Sequence, residues 1–392
     1  MNKSFSEYEF SIIRGGLLDR ILALLRISKA DKDSTLGKTI FFISITWVPL
    51  FVLAAIEGLF WTDAVDLPFL NEFATHIRLL IAIPLLVFAE SVVDEKVKIS
   101  IGQFSRSGLI QEESKEKFEL AKQKADRMCE SYFAEAAILI VIVANVLFRI
   151  STNSIGLTSW VFPESDDLNA LSLAGYWAAF ISFPIFQFLI LRWFWRWIIW
   201  YRLLNLISKS DLRLIPTHPD KSGGLGFLGE PPLPFFIFTF VLSIVFASML
   251  AERMLFLNLN FNDHYPILIA FVLVCILINL VPLLTYIKPL IKARMKGINE
   301  YHSLVALHHH NLEEKWIGIQ KDHGDEILGN ADFSSAADIV SVYESVENMT
   351  IFPFNIKTML ATVVISLLPL LLALTIQLPL VEILKTLAGI LL

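Results

Sequence analysis

The chain is poor in charge and in cysteine. Only 18% of its 392 residues are Asp, Glu, Lys or Arg, and it has two cysteines. So little charge excludes an extended, self-repelling disordered chain, and two thiols exclude a disulfide-stapled secreted scaffold. With a formal net charge of −6 there is no basic excess to attract nucleic acid, and none is expected as a partner. Apolar side chains fill the gap: hydrophobic residues make up 55% of the chain and mean hydropathy is +0.62. That is too apolar for a soluble protein of this length and reads as a polytopic membrane protein.

The N-terminal apolar stretch, Leu17 to Ile27, is broken by Asp19, Arg20 and Arg26 and lacks a small-residue cleavage site. Leu17, Leu18, Ile21, Leu24 and Leu25 share one helical face, with the three charges largely opposite. The expectation is an interfacial amphipathic helix. Cys129 falls in a basic loop and Cys275 in an apolar run, and neither reads as a nucleophile.

A bilayer core needs about 20 mostly apolar residues per helix, because each backbone amide must be satisfied inside the segment. Seven stretches qualify: 39–60, 77–93, 132–150, 172–200, 235–257, 266–287 and 359–377. The fourth continues toward Ile207 and must tilt, kink at Pro184 or project from the membrane. Residues 378–392 are too few to cross again and are expected at the interface.

Lysine and arginine counts set the threading. Segments 1–38, 95–131, 208–233 and 288–357 hold seven, eight, three and seven, while 61–76, 150–171 and 254–265 hold none. The second set instead carries Asp63, Asp66, Glu72, Glu164, Asp166, Asp167 and Asp263. By the positive-inside rule the N-terminus and the large loops are cytoplasmic and the chain ends on the outer side. Arg192, Arg196 and Arg202 alternate with Trp193, Trp195, Trp197 and Trp200, as suits the inner end of the fourth span.

The expected fold class is all-α: a transmembrane helical bundle of about seven spans with amphipathic cytoplasmic helices. The expected segments are an interfacial helix in 1–38, a transmembrane hairpin in 39–93 and a basic helical loop in 94–131. Four spans follow in 132–287, with a glycine-rich cytoplasmic turn at 217–234. A helical loop in 288–357 and a last span with an interfacial tail in 358–392 complete the chain. Apolar spacing from Glu112 through Phe118, Ala121, Ala125, Met128 and Tyr132 predicts that the third span continues inward as one long helix. Ser107-Gly108 is the expected stop of the helix before it, and Ser334 or Ser335 the expected cap of a short helix carrying Ile339, Tyr343 and Val346.

Ionisable residues inside spans mark function best, so their depth matters. Glu57, His76, Arg78, Arg149, Glu252 and Arg253 fall near the outer boundary, and Glu90, Glu135, Arg192 and Arg196 near the inner one. The centre holds only neutral polar groups, among them Ser182, Gln187, Ser243, Asn279 and Ser366. That argues against a midplane carboxylate relay. One reading makes both layers boundary charges, snorkelling or paired between helices. The other makes Glu57, Arg78, Glu252 and Arg253 an outer vestibule, Glu90 and Glu135 an inner mouth, and Gln187 and Asn279 parts of a path between them. Pro49, Pro84, Pro184, Pro282 and Pro369 lie inside spans, where a kink frees carbonyls.

The densest motif runs from Thr217 through His218, Pro219, Asp220, Lys221 and Ser222 to Gly223, Gly224, Gly226 and Gly229. Its glycines allow positive φ and close backbone approach. Three readings stay open: a rigid re-entry turn, an anion or lipid-headgroup contact through exposed amides beside Lys221, and a metal or acid/base role for His218 and Asp220. The spacing fits neither a P-loop nor a dinucleotide fingerprint. His302 and His309 share a helical face with Glu313 one turn on, half a metal site that His218 and Asp220 would complete; a solvated histidine run is the plainer account.

The His218–Leu228 segment resembles an uncharacterised family of bacterial multi-span inner-membrane proteins. Phe88-Ala89-Glu90 leading to Phe104 and Ser107-Gly108-Leu109 shares that resemblance, as does the tail from Ala337-Asp338 through Pro353-Phe354 to Leu368-Pro369-Leu370. The resemblance implies a bacterial inner membrane and a cytoplasmic N-terminus; it implies no activity, cofactor or site. The residues favour a channel or transporter for ions or small solutes, expected as a homo-oligomer in the lipid bilayer. The alternatives are a membrane-embedded enzyme acting at headgroup level through His218 and Asp220, and a sensor or assembly protein.

Overall fold

The computed structural model describes residues 10–24, 34–151, 158–163, 171–231, 233–256, 265–317 and 329–376. The side chain of Arg149, the residues Leu25 and Arg26, the turn at His323 and the tail 378–392 lie outside them. The described chain is helical, with one isolated parallel bridge between Leu67 and Ser159. Seven helical stretches are long and apolar enough to cross a bilayer: Thr35–Ile56, Phe73–Arg106, Glu112–Phe148, Leu173–Ile207, Phe236–Phe256, Tyr265–Leu284 and Ile356–Leu374. The chain is a multi-pass membrane protein with an all-α bundle.

Helix α1 (Leu17–Leu24) precedes the first span, which comprises α2 (Ser34–Thr46) and α3 (Val48–Ile56). The second span is α4 (Phe73–His76), a π-turn at Ile77–Ala82 and α5 (Ile83–Arg106). Helix α6 (Lys115–Cys129) leads to the third span, α7 (Tyr132–Ser151). The fourth is α8 (Leu173–Trp177), a π-turn at Ala178–Ser182 and α9 (Phe183–Ile207). Helices α10 (Phe236–Phe256) and α11 (Tyr265–Leu284) form the fifth and sixth. Helices α12 (Ile287–Trp316) and α13 (Ala331–Glu347) pair ahead of the seventh, α14 (Ile356–Leu374).

Several local expectations shift. The third span and α6 are separate helices, because Glu130 and Ser131 leave helical geometry between them. Helix α13 starts earlier than its serines suggest: Asn330 is its cap, and its side chain accepts the Asp332 amide at 2.9 Å. In α1, Asp19 faces the bundle, where it pairs with Arg192, while Leu17, Ile21 and Leu24 point outward. The helix before Ser107 does end there, with Gly108 at φ +68°.

Proline placement explains how the spans dock. A proline inside a helix lacks the N–H that would bond the carbonyl four residues earlier, and in a bilayer that carbonyl needs another donor. Pro49 frees the Ile45 carbonyl, and Trp177 Nε1 donates to it at 3.0 Å. Pro282, inside α11, frees the Ile278 carbonyl, and Trp197 Nε1 donates to it at 2.6 Å. The fourth span is thereby tied to the first and the sixth. In the second and fourth spans a π-turn comes immediately before Ile83-Pro84 and Phe183-Pro184, so the regular α-helical ladder of both is interrupted there.

Helices α10, α11 and α14 meet along a buried seam of small polar residues. Thr239, Ser243, Thr358, Thr362 and Ser366 each return a hydroxyl to their own chain or a neighbour, and Asn279 Nδ2 donates to Thr239 Oγ1 at 2.8 Å. Small hydroxylated side chains let backbones approach closely where no hydrophobic drive separates helix from lipid.

Segments of like charge character meet. Leu109 accepts the Arg213 amide and Lys221 the Thr350 amide, while the acid-rich outer loops join through Leu67 and Trp160 and through Glu72 and Trp160. The threading read from Lys and Arg places each of these pairs on one side of the membrane.

Candidate functional site at the inner boundary

The charges expected at the inner boundary gather in a single cluster. Glu90, on α5, holds Lys38 Nζ at 3.1 Å on one oxygen and Arg196 at 2.9 Å on the other, with Arg192 at 3.6 Å. Arg192 pairs with Asp19 at 3.0 Å and donates to the Gly15 carbonyl at 3.2 Å. Arg196 donates to the Ile13 carbonyl at 3.5 Å and lies over the Trp193 ring. Arg192 and Arg196 are 7% and 3% exposed. Four residues apart on α9, the two guanidiniums reach the same carboxylate, and the proximity of two cations is tolerable only because Glu90 and Asp19 lie between and beside them.

The N-terminal segment closes over this cluster. Phe10 and Ile12 are buried, and Ser11 donates to Asp94 at 2.6 Å. Gly15 and Gly16, at φ +105° and +94°, turn the chain so that the first amide of α1, Leu17 N, donates to Glu135 at 2.5 Å. A side chain on Gly16 would collide with that carboxylate. Glu135 therefore caps α1, where helix polarity favours a negative charge. A cavity of about 20 Å³, the size of one water molecule, lies among Gly15, Ser131, Glu135, Arg192 and Arg196. Glu90 and Glu135 thus flank the arginine pair. Lys38, Asp19 and the carbonyl acceptors were missed from the sequence, since nothing in spacing shows which loop folds back onto a span.

The residues expected near the outer boundary form three groups. Glu57 accepts Leu173 N at 2.7 Å and Ala174 N at 3.1 Å, capping α8. Glu252 lies within electrostatic reach of Arg78, Arg253 and Glu72, and Arg78 also faces the Phe183 ring at 6.0 Å. His76 accepts from Trp47 Nε1 at 3.0 Å, which leaves its Nε2 to donate to the Phe69 carbonyl at 3.0 Å. At mid-depth the structure keeps Gln187 and Asn279 apart. Gln187 bonds Asn145 at 3.0 Å on the α7 side, while Asn279 is buried beside Thr239 and Cys275.

The glycine-rich turn is built around Asp220. One carboxylate oxygen accepts Ser222 N at 2.8 Å and Gly224 N at 3.1 Å, and the other accepts Gly226 N at 2.8 Å. His218 Nδ1 lies 2.8 Å from Asp220 Oδ1 and 3.3 Å from its amide; the shorter, charge-assisted contact makes Nδ1 the donor. Burial pushes the Asp220 carboxyl up, but the amides of Gly226, Ser222 and Gly224, with His218, outweigh it and hold it below the usual aspartate value. Three amides in the turn therefore already have an anion, supplied by the turn itself. Lys221, at φ +56°, accepts Thr350 through its carbonyl, and Gly229 packs against Pro353 and Phe354 and accepts from Thr358.

Among the described residues, the histidines expected on the cytoplasmic side do not converge. His302 meets Tyr343, His308 meets Ser335, and His310 pairs with Glu314 one turn on. Among the described residues no three of His, Cys, Asp and Glu gather where a metal ion could be held.

Comparison with protein-family profiles, with curated proteins and with solved structures finds no match in any of the three.

Proposed function

We propose that the chain is a transport protein, a channel or carrier for ions or small solutes, working as a homo-oligomer in a bacterial inner membrane. The observation that carries this reading is the buried cluster of Lys38, Glu90, Arg192 and Arg196, roofed by the N-terminal segment. Desolvated charges at a membrane boundary are costly, and here they join the N-terminal segment to the first, second and fourth spans. Two of these, the second and fourth spans, also carry a π-turn beside a proline. An ion-paired contact between such helices under a polar-backbone strap suits a gate with two arrangements, closed when Arg196 holds Glu90 and open when the strap lifts.

Flux measured in proteoliposomes tests the reading. Wild-type protein is expected to pass a subset of monovalent ions or small polar solutes, and Glu90→Gln to change that rate severalfold. No flux from either protein across such a panel would sink it.

A second reading is favoured by one observation: His218 is oriented by Asp220 and its ring is 38% exposed, the arrangement of an acid/base pair at headgroup level. For that reading His218→Ala would abolish turnover of a lipid-headgroup substrate while leaving the fold intact.

A further inference from the structure

Asn145 and Gln187 bond each other in mid-span, and no other protein group among the described residues meets either amide. Asn145 lies ten residues beyond Glu135 on α7, about 15 Å along the axis and so near the bilayer centre. It is exposed, and α7 packs chiefly against α9, leaving Ala137, Val141, Ala144 and Phe148 exposed beside it. Gln187 Nε2 donates to Asn145 Oδ1 at 3.0 Å. That single bond leaves Gln187 Oε1, the second Gln187 N–H and both Asn145 N–H groups open, with no other partner for either amide among the described residues.

Lipid chains satisfy none of these groups, and each amide left bare at this depth is penalised. The open set contains both donors and an acceptor, so the same pair on a second copy, turned by a two-fold axis, completes it. Alanines at 137 and 144 face the same way and let two α7 helices approach closely. We propose that two copies of this chain pair through the outward face of α7, with the Asn145 and Gln187 amides of one bonding those of the other. The proposal rests on the membrane embedding, and it gives the oligomer of the transport reading a contact surface.

Disulfide cross-linking in proteoliposomes of the purified protein tests it, in a background of Cys129→Ser and Cys275→Ala. Ala144→Cys is expected to give a band of twice the mass on oxidation, and Leu273→Cys, equally lipid-exposed on α11, is not. A monomer band from Ala144→Cys, or equal cross-linking from both positions, overturns the pairing. The double variant Asn145→Leu with Gln187→Leu removes the open amides together with the bond between them, and its helical content and melting temperature check that α7 stays packed on α9. It should raise the monomer–dimer dissociation constant in the bilayer about tenfold; an unchanged constant overturns the role of the amides. Cross-linking without flux would sink the transport reading and leave this one standing, and flux from a chain that stays monomeric would do the reverse.

Discussion

Asp220 turns its carboxylate back onto its own chain, and a stability consequence follows. Because its folded value is depressed, its contribution is fully present above the ordinary aspartate range near pH ~4 and is lost as pH falls through the depressed value. Asp220→Asn is expected to cost about 2 kcal/mol near neutrality and to flatten the acid limb of a melting-temperature profile. An acid limb as steep as that of the wild type would contradict the role given to Asp220. Gly229 is a second point of contact. An added Cβ there would overlap the Pro353 carbonyl and the Phe354 backbone, so Gly229→Ala should separate the turn from the seventh span and lower stability by roughly 3 kcal/mol or more, read by thermal melting in detergent.

The helices are joined by groups that proline releases. Trp197→Phe leaves the Ile278 carbonyl without a donor inside the bundle and is expected to cost about 1–3 kcal/mol. Pro282→Ala restores an N–H to the helix itself, so Trp197→Phe should cost measurably less in that background. Strictly additive effects in a double-mutant cycle would refute the coupling. Periodicity and length revealed the seven spans because a bilayer demands about 20 apolar residues whatever their partners are. The same periodicity ran unbroken through Glu130 and Ser131, where α6 and α7 separate, and gave no sign of the π-turns.

Over the whole molecule, the charge asymmetry makes a two-sided object. Trp61, 76% exposed in an outer loop, and Leu307, 59% exposed on α12, should label from opposite sides when each is replaced by cysteine in a cysteine-free background. Same-side labelling by a membrane-impermeant reagent would overturn the threading. The cluster of Lys38, Glu90, Arg192 and Arg196 also acts at this scale, since it holds the N-terminal segment to three spans. Removing one partner leaves a buried charge behind, so Arg196→Leu alone should cost about 3–5 kcal/mol, and adding Glu90→Leu should recover part of that loss.

Sequence by itself determined the membrane class and the seven spans, and it carries the expectation of their orientation and of two layers of charge. Each of these depends on transfer from water to lipid, a property that side chains carry whatever they later touch. Tertiary structure decided the pairings: Lys38 and Asp19 with the Glu90 cluster, Glu135 and Glu57 as caps of other helices, and Gln187 beside Asn145 rather than Asn279. Those contacts join residues far apart in the chain, and the local pattern of a span is the same whichever neighbour it packs against. The Asp220 turn lies between the two cases, for its glycines announced a tight loop, while the carboxylate that fills its amides became visible only when the loop was closed.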